Sequence, residues 1–126
     1  MNLLLDTHVF LWAVDDNPHL SPAAREAIVD GNNIVYVSAA TAWEISIKRA
    51  IGKLRIPESD YLEELRLHRF TPLSITTEHA LAVENLPLVH KDPFDRMLIA
   101  QAQEEKLTIV TRDSRIKAYD VRVIET

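Results

Sequence analysis

The 126-residue sequence predicts an α/β fold, a three-layer α/β/α sandwich around a central, mainly parallel sheet. Three observations carry that expectation. Short continuous apolar runs at Leu3 to Leu5, Ile34 to Val37 and Leu107 to Val110 have the length and composition of strands buried on both faces. Stretches with helical spacing and recognisable caps lie between them. Strand–helix alternation of this kind needs right-handed crossovers, which place helices on both sides of the sheet. No internal repeat, low-complexity segment or interdomain linker divides the chain, so residues 1–126 read as a single domain.

The first strand ends at Asp6, and Val9, Phe10, Trp12 and Ala13 suit a short helix from His8 to Val14 that Asp15, Asp16, Asn17 and Pro18 stop. Ser21 and Pro22 form an N-cap and first-position pair for a second helix ending near Gly31. After the strand Ile34 to Val37, Ser38 caps a helix through Ala50, with Gly52 just beyond its end. On that helix Trp43, Ile47, Ala50 and Ile51 share an expected core face. Glu44 lies about 100° round from Trp43 and four residues before Lys48. Lys53 to Pro57 form a linker, and Tyr61, Leu62, Leu65 and His68 mark an amphipathic helix after Ser59.

Pro72 interrupts before a short extended piece, Leu73 to Ile75. Thr76 or Thr77 then caps a helix carrying Ala80, Leu81 and Glu84 towards Leu86, and Pro87 ends it. In the stretch HKDPFDRMLIAQAQ, from His90 to Gln103, Asp92 stands at the N-cap and Pro93 at the first helical position, where its missing N–H costs nothing. Asp95 falls in the first turn, where unpaired amides and the positive end of the helix dipole favour an ionised carboxylate. Phe94, Leu98 and Ala102, with Met97 beside them, give that helix its apolar stripe. The strand Leu107 to Val110 leads into Thr111, Arg112 and Asp113, and Val121 to Ile124 alternate around Arg122 as a last, edge-like strand.

Composition removes several function classes. There is no cysteine, which excludes a disulfide framework and thiolate metal sites and fits a cytoplasmic protein. The opening MNLLLDTHVFLWAV has its apolar run broken by Asp6 and His8 and carries no basic leader, so it reads as neither a signal peptide nor a membrane span. The two glycines, Gly31 and Gly52, exclude a dinucleotide fingerprint, a phosphate-binding Walker loop and a serine nucleophile elbow, each of which needs closely spaced glycines. A formal charge of −5 weighs against nonspecific nucleic-acid binding, unless the acids gather at a site where bound cations reverse the local field.

Taken alone, Asp92 and Asp95 are most economically a helix cap. The expected topology changes that, because ligands in open parallel sheets bind outside the carboxyl ends of the strands. Asp6 follows the first strand, Asp113 follows Leu107 to Val110, and Asp95 begins the helix leading into that strand. Glu44 lies one to two turns into the helix after the second strand, where an ion pair with Lys48 is the competing explanation. Carboxylates gathered in one crevice repel each other unless protonated or bridged by a cation. Oxygen ligands without cysteine or paired histidines suit Mg²⁺ or Mn²⁺ better than zinc, and such ions activate water and stabilise charge on a phosphoryl group. Metal-dependent phosphodiester hydrolysis is the chemistry expected.

Four segments also carry a resemblance. LLLDTHVFLW at 3–12, AWEISIK at 42–48, HKDPFDRMLIAQA at 90–102 and TRD at 111–113 resemble, in order, the successive motifs of PIN-domain nucleases, most closely the toxin branch of VapBC-type toxin–antitoxin pairs. The region Gly52 to Val89 carries no such motif. The resemblance implies a PIN-like domain and a metal-dependent endoribonuclease whose acids map to Asp6, Glu44, Asp95 and Asp113, binding Mg²⁺ or Mn²⁺. It implies RNA as substrate, a homodimer, and a cognate antitoxin whose tail covers the active-site groove. Asp95 is then a metal ligand, Asp92 mainly the cap, and Asp113 a contact to the metal that is either direct or through water.

The remaining polar residues have two readings each. Thr7 and Thr111 either orient the carboxylates or finish strands, and Ser38 reads as a cap rather than a substrate contact. His8 and His90 flank the acidic motifs as supporting or structural groups, since neither is needed as a base when a metal activates water. Arg112, Arg96 and Arg115 can meet RNA phosphates through their guanidinium forks, Arg112 being best placed, with ordinary surface charge the simpler reading for Arg115 and Lys117. Trp12 and Trp43 read as core rather than base-stacking platforms. Two other functions stay open: a receiver-type phosphoacceptor domain, and a catalytically silent binding module in which the acids only cap helices. The former needs adjacent acids after the first strand and a well-placed lysine. Here only Asp6 follows that strand, and Lys117 is poorly placed.

Overall fold

A computed structural model describes residues 1–54 and 60–126, so the expected linker Lys53 to Pro57 and the boundary at Ser59 fall largely outside the described residues. Five strands, β1 (Asn2–Leu5), β2 (Ile34–Ser38), β3 (Thr71–Leu73), β4 (Thr108–Thr111) and β5 (Arg122–Glu125), form one sheet in the order β3-β2-β1-β4-β5. Every pairing is parallel, with Leu5 opposite Val37 on one side and Val110 on the other. The helices are α1 (Thr7–Val14), α2 (Pro22–Val29), α3 (Ala39–Ala50), α4 (Tyr61–Leu67), α5 (Thr77–Ala82) and α6 (Pro93–Glu105). Short 3₁₀ segments at Val83–Asn85 and Ser114–Ala118 complete the set.

Two cores follow from the period-2 alternation of the strands. Leu3, Leu5, Val35, Val37 and Val110 face one layer, where Val9, Phe10, Ala24 and Leu65 of α1, α2 and α4 cover them. Leu4 and Ile109 face the other, against Leu98, Ile99 and Ala102 of α6 and Ile116 and Tyr119 behind β4. Leu3, Leu4 and Leu5 are fully buried, and each such leucine contributes about 1.5–3 kcal/mol of apolar burial. The expected three-layer α/β/α sandwich is the observed one.

The sheet order places a switch point between β1 and β4, because successive strands proceed outward from β1 in one direction and from β4 in the other. Parallel strands whose connections diverge leave a crevice outside their carboxyl ends. Asp6 stands at that end of β1, and Thr111 closes β4 with Asp113 two residues beyond.

Two local expectations need correction. The extended piece near Pro72 is Thr71–Leu73, with the proline inside it rather than before it; β3 is an edge strand, where a missing N–H leaves no ladder bond unmade. The face of α3 is also reversed. Ala40, Thr41, Glu44 and Ile45 are buried, while Trp43, Ile47 and Ile51 are 60%, 40% and 60% exposed. Helical spacing groups these apolar side chains, but only the packing decides which face turns inward. The small Ala40 and Thr41 lie on the buried face, and Trp43 instead meets Phe94 of α6 edge-on. Trp12 is half-buried against the first core, closer to expectation.

Candidate active site

Three helical N-termini open on the crevice, and an aspartate begins each of them. Asp6 caps α1, its Oδ1 accepting from the Val9 amide at 2.8 Å. Asp92 caps α6, its Oδ1 accepting from the amides of Phe94 and Asp95 at 2.8 and 3.3 Å. Asp113 begins the Ser114–Ala118 segment, its Oδ1 accepting from the Arg115 amide at 2.9 Å. Unpaired amides at helix starts favour such carboxylates, so capping and clustering arise from the same residues.

Around these acids the hydroxyls of the neighbouring strand and helix ends act as donors. The Thr111 hydroxyl donates to Asp6 Oδ2 at 2.5 Å, and its oxygen accepts from the Asp113 amide at 3.0 Å. Thr7 donates to Glu44 Oε1 at 2.7 Å, and its hydroxyl lies 3.3 Å from that of Thr41. Lys48 donates to Glu44 Oε2 at 2.5 Å. Glu44 is therefore both the buried acid and the ion-pair partner that its spacing allowed. Ser38 caps α3 by accepting from the Ala40 amide.

Between Asp95 and Asp113 sits His90, whose Nε2 is 3.0 Å from Asp95 Oδ2 and 2.9 Å from Asp113 Oδ2. One ligand atom of each of the three residues lies within 4.8 Å of the others. Asp6, Asp92, Asp95 and Asp113, with His8, Trp12, Arg112, Ser114 and Arg115, line a groove of about 460 Å³. Glu44 does not line it, although its charge is felt by Asp95.

Electrostatics separate the acids. Burial pushes the Asp95 carboxyl up to about 7, and the nearby charges of Asp92 and Asp6 add to the rise while His90 opposes it. Burial also raises Asp6, against the hydrogen bonds from Thr111 and the Val9 amide. Asp113 moves the other way, down to about 2, chiefly because the Arg115 side chain donates to both of its oxygens, at 3.1 and 2.8 Å. A carboxylate cluster with two members strained upward binds a cation readily, because the cation removes the repulsion that raised them.

The arginines divide. Arg112 is exposed at the groove with its guanidinium 5.5 Å from the centroid of the Trp12 ring, which also meets a stacked His19 and a tilted His8. Arg96 corrects the expectation of a phosphate contact. It is 9% exposed, and its guanidinium donates to the carbonyls of Pro87, His90, Val83 and Leu86 at 2.9–3.2 Å. Those bonds clamp the segment that carries His90 and leave the fork turned away from the groove. Lys117 pairs with Glu125, as an ordinary surface charge does. Tyr119, which no motif singles out, donates to the Pro87 carbonyl and accepts from the His90 amide, each at 2.7 Å. Only its aromatic character marks it in the sequence.

Comparisons with known proteins agree with this fold. A PIN-domain family model matches residues 3–122. Ribonuclease VapC22 of Mycobacterium tuberculosis is 31% identical over 121 residues, covering 93% of this chain and 91% of its own. Among solved structures, VapBC2 from Rickettsia felis bound to a promoter DNA fragment superposes with a TM-score of 0.74 at 16% identity, covering 99% of this chain and 98% of that one. DNA-bound VapBC from Salmonella typhimurium gives 0.68 at 18% identity, covering 99% and 98%. FitAcB from Neisseria gonorrhoeae gives 0.61 at 21%, covering 97% and 96%.

Proposed function

The chain belongs to the PIN-domain family, and from that premise we propose that it is a metal-dependent endoribonuclease, the toxin of a type II toxin–antitoxin pair. The observation that carries the reading is a buried acid, Asp6, and a half-buried one, Asp95, at the switch point of a parallel sheet, with no lysine or arginine among the described residues bonded to either. The donor set fits a hard cation. It offers carboxylate oxygens without sulfur, held by the Thr111 hydroxyl and helix-start amides, and suits Mg²⁺ or Mn²⁺. Asp6 and Asp95 would hold the ion, with Glu44 and Asp113 completing the acidic set.

When bound, the ion supplies a Lewis acid and activates water against a phosphodiester. The chain's own residues do the rest. Thr111 and the Val9 amide fix the Asp6 oxygens, and Thr7 fixes Glu44. Arg112, held over Trp12 at the groove, is placed to receive an RNA phosphate. His8 lines the groove beside it.

The relative VapC22, a ribonuclease, supports the same activity here, and the VapBC structures support an antitoxin as partner. The exposed stripe Trp43, Ile47 and Ile51 supports protein contacts, which a homodimer and an antitoxin would supply. Among the described residues no helix is long and apolar enough to cross a membrane, which accords with a cytoplasmic site of action.

The test is RNA cleavage by purified protein in Mn²⁺, in excess chelator, and by Asp6→Asn and Asp95→Asn. Cleavage is lost in chelator and in both variants, while circular dichroism shows the fold retained. Full cleavage in chelator sinks the mechanism. Expression of the chain alone, and then with the protein encoded beside it, tests the toxin role: growth arrest relieved by the neighbour is expected.

A further inference from the structure

His90 is fully shielded, with 1% of its surface exposed, in the segment between Pro87 and the start of α6. Its backbone is held from both ends, the amide donating to the Tyr119 hydroxyl and the carbonyl accepting from Arg96. Both clamps also grip the Pro87 carbonyl, so the segment has little freedom to shift the ring. A buried imidazole fixed this firmly has a direction, and the direction is set by its two nitrogens.

Nδ1 lies 3.1 Å from the Asp92 amide nitrogen, which donates to it. That nitrogen therefore presents a lone pair, and the proton of the neutral ring sits on Nε2. Nε2 is within hydrogen-bond distance of both Asp95 Oδ2 and Asp113 Oδ2. The N–H hydrogen-bonds to Asp113, and the same nitrogen stands against Asp95, so one imidazole edge meets two carboxylates from different elements, one on α6 and one beyond β4. The same Asp92 that starts the helix fixes the ring's tautomer through its amide.

Resting on the metal-nuclease reading above, we propose that His90 is a positioning residue for the metal site, orienting Asp113 through its Nε2 proton and setting the spacing to Asp95 by contact, rather than ligating the ion itself. Groups that hydrogen-bond to metal ligands orient them, and their loss typically costs about 10- to 100-fold in metal affinity or activity. Direct ligation by Nε2 would need that nitrogen's lone pair, and the Asp92 amide has already claimed the other nitrogen as acceptor. Arg96 and Tyr119 act one step further out, on the backbone that presents the ring.

The experiment titrates Mn²⁺ into the full-length protein and follows the free-ion EPR signal, for wild type, Asp95→Asn, His90→Ala and His90→Gln, with kcat and KM for RNA measured alongside. His90→Ala weakens Mn²⁺ binding by about 10- to 100-fold and lowers kcat with little change in KM. His90→Gln, whose amide N–H keeps a donor for Asp113, recovers Mn²⁺ binding to within tenfold of wild type. Unchanged Mn²⁺ affinity in His90→Ala, or a His90→Gln as weak as the alanine variant, overturns the proposal. If His90→Ala does not fold, the glutamine variant decides alone. Asp95→Asn separates the two levels: weak binding there with wild-type binding in His90→Ala removes only the role of His90, whereas wild-type binding in Asp95→Asn removes the metal reading beneath it.

Discussion

Asp6, Asp95 and Asp113 line one crevice and Glu44 acts on it by its charge, yet Asp6 and Asp95 on one side and Glu44 and Asp113 on the other have their charges handled by opposite means. Glu44 has Lys48 and Asp113 has Arg115, so the protein itself neutralises these two. Asp6 receives hydroxyl and amide donors and Asp95 stands 3.0 Å from the His90 ring nitrogen, but among the described residues no lysine or arginine bonds to either, and burial raises both pKa values. A folded protein tolerates such a pair where something else supplies the missing positive charge. The difference ranks the acids: the first pair is built around an absent charge, and the second pair is built to be complete without one.

The largest effect expected from that ranking is on catalysis. Under the proposed function, Asp6→Asn and Asp95→Asn reduce Mn²⁺-dependent RNA cleavage by more than about 100-fold, beyond what loss of a merely supporting contact costs. Glu44→Gln keeps an acceptor for Thr7, and Asp113→Asn keeps one for Arg115; both fall by about 10- to 100-fold. Single-turnover rates at saturating Mn²⁺ make the comparison. Equal losses at all four positions would break the ranking.

Next in size is a pH dependence that differs in sign between Asp95 and Asp113. Asp95 has a folded pKa of about 7, above its unfolded value, so its contribution to stability is fully present below about 4 and is lost as pH rises through 7. Asp113 has a folded pKa of about 2, below its unfolded value, so its contribution is present above about 4 and is lost as pH falls towards 2. Metal-free protein in chelator should therefore lose Tm between pH 4 and 7, and Asp95→Asn should flatten that slope. Mn²⁺ should raise Tm most at the high end of the window, where Asp95 is ionised. A Tm that climbs from pH 4 to 7 in chelator, equally in wild type and Asp95→Asn, would contradict the raised pKa.

How much of this was legible beforehand depends on range along the chain. Strand positions, caps and the acids after β1 and β4 follow from local patterns: an apolar run, a turn, an Asp at a helix start. The parallel order then places the crevice without any tertiary contact being known. What stayed hidden is set by packing between distant segments. Helical spacing grouped Trp43 with Ile47 and Ile51 but could not say that Ala40, Thr41 and Ile45 would face inward. Arg96 looks in sequence like any arginine beside an acidic motif, and only the carbonyls of Val83, Leu86, Pro87 and His90 reveal it as a clamp. Glu44 kept two readings because spacing alone allows both: the ion pair with Lys48 is present, and its other oxygen accepts from Thr7 while the groove is lined without it.

The smallest expected effect tests the other pair's completeness. Arg115 is largely exposed, yet it is the chief reason that Asp113 titrates near 2. Replacing it by alanine returns Asp113 towards the ordinary carboxylate range, leaving the His90 bond and the Arg115 amide in place, since the amide belongs to the backbone. If Arg115 merely neutralises Asp113, Arg115→Ala removes a cation that competes with the metal, and Mn²⁺ binding tightens. The gain is a few-fold, on the order of fivefold for one unit charge and a divalent ion about 8 Å apart in water, and added salt erodes it. NMR titration of Asp113 and Mn²⁺ titration at two ionic strengths read both quantities. Weaker Mn²⁺ binding in Arg115→Ala would mean that the guanidinium orients Asp113 for the ion, and the division between acids the protein completes and acids it leaves for a metal would then have to be redrawn with Asp113 beside Asp95.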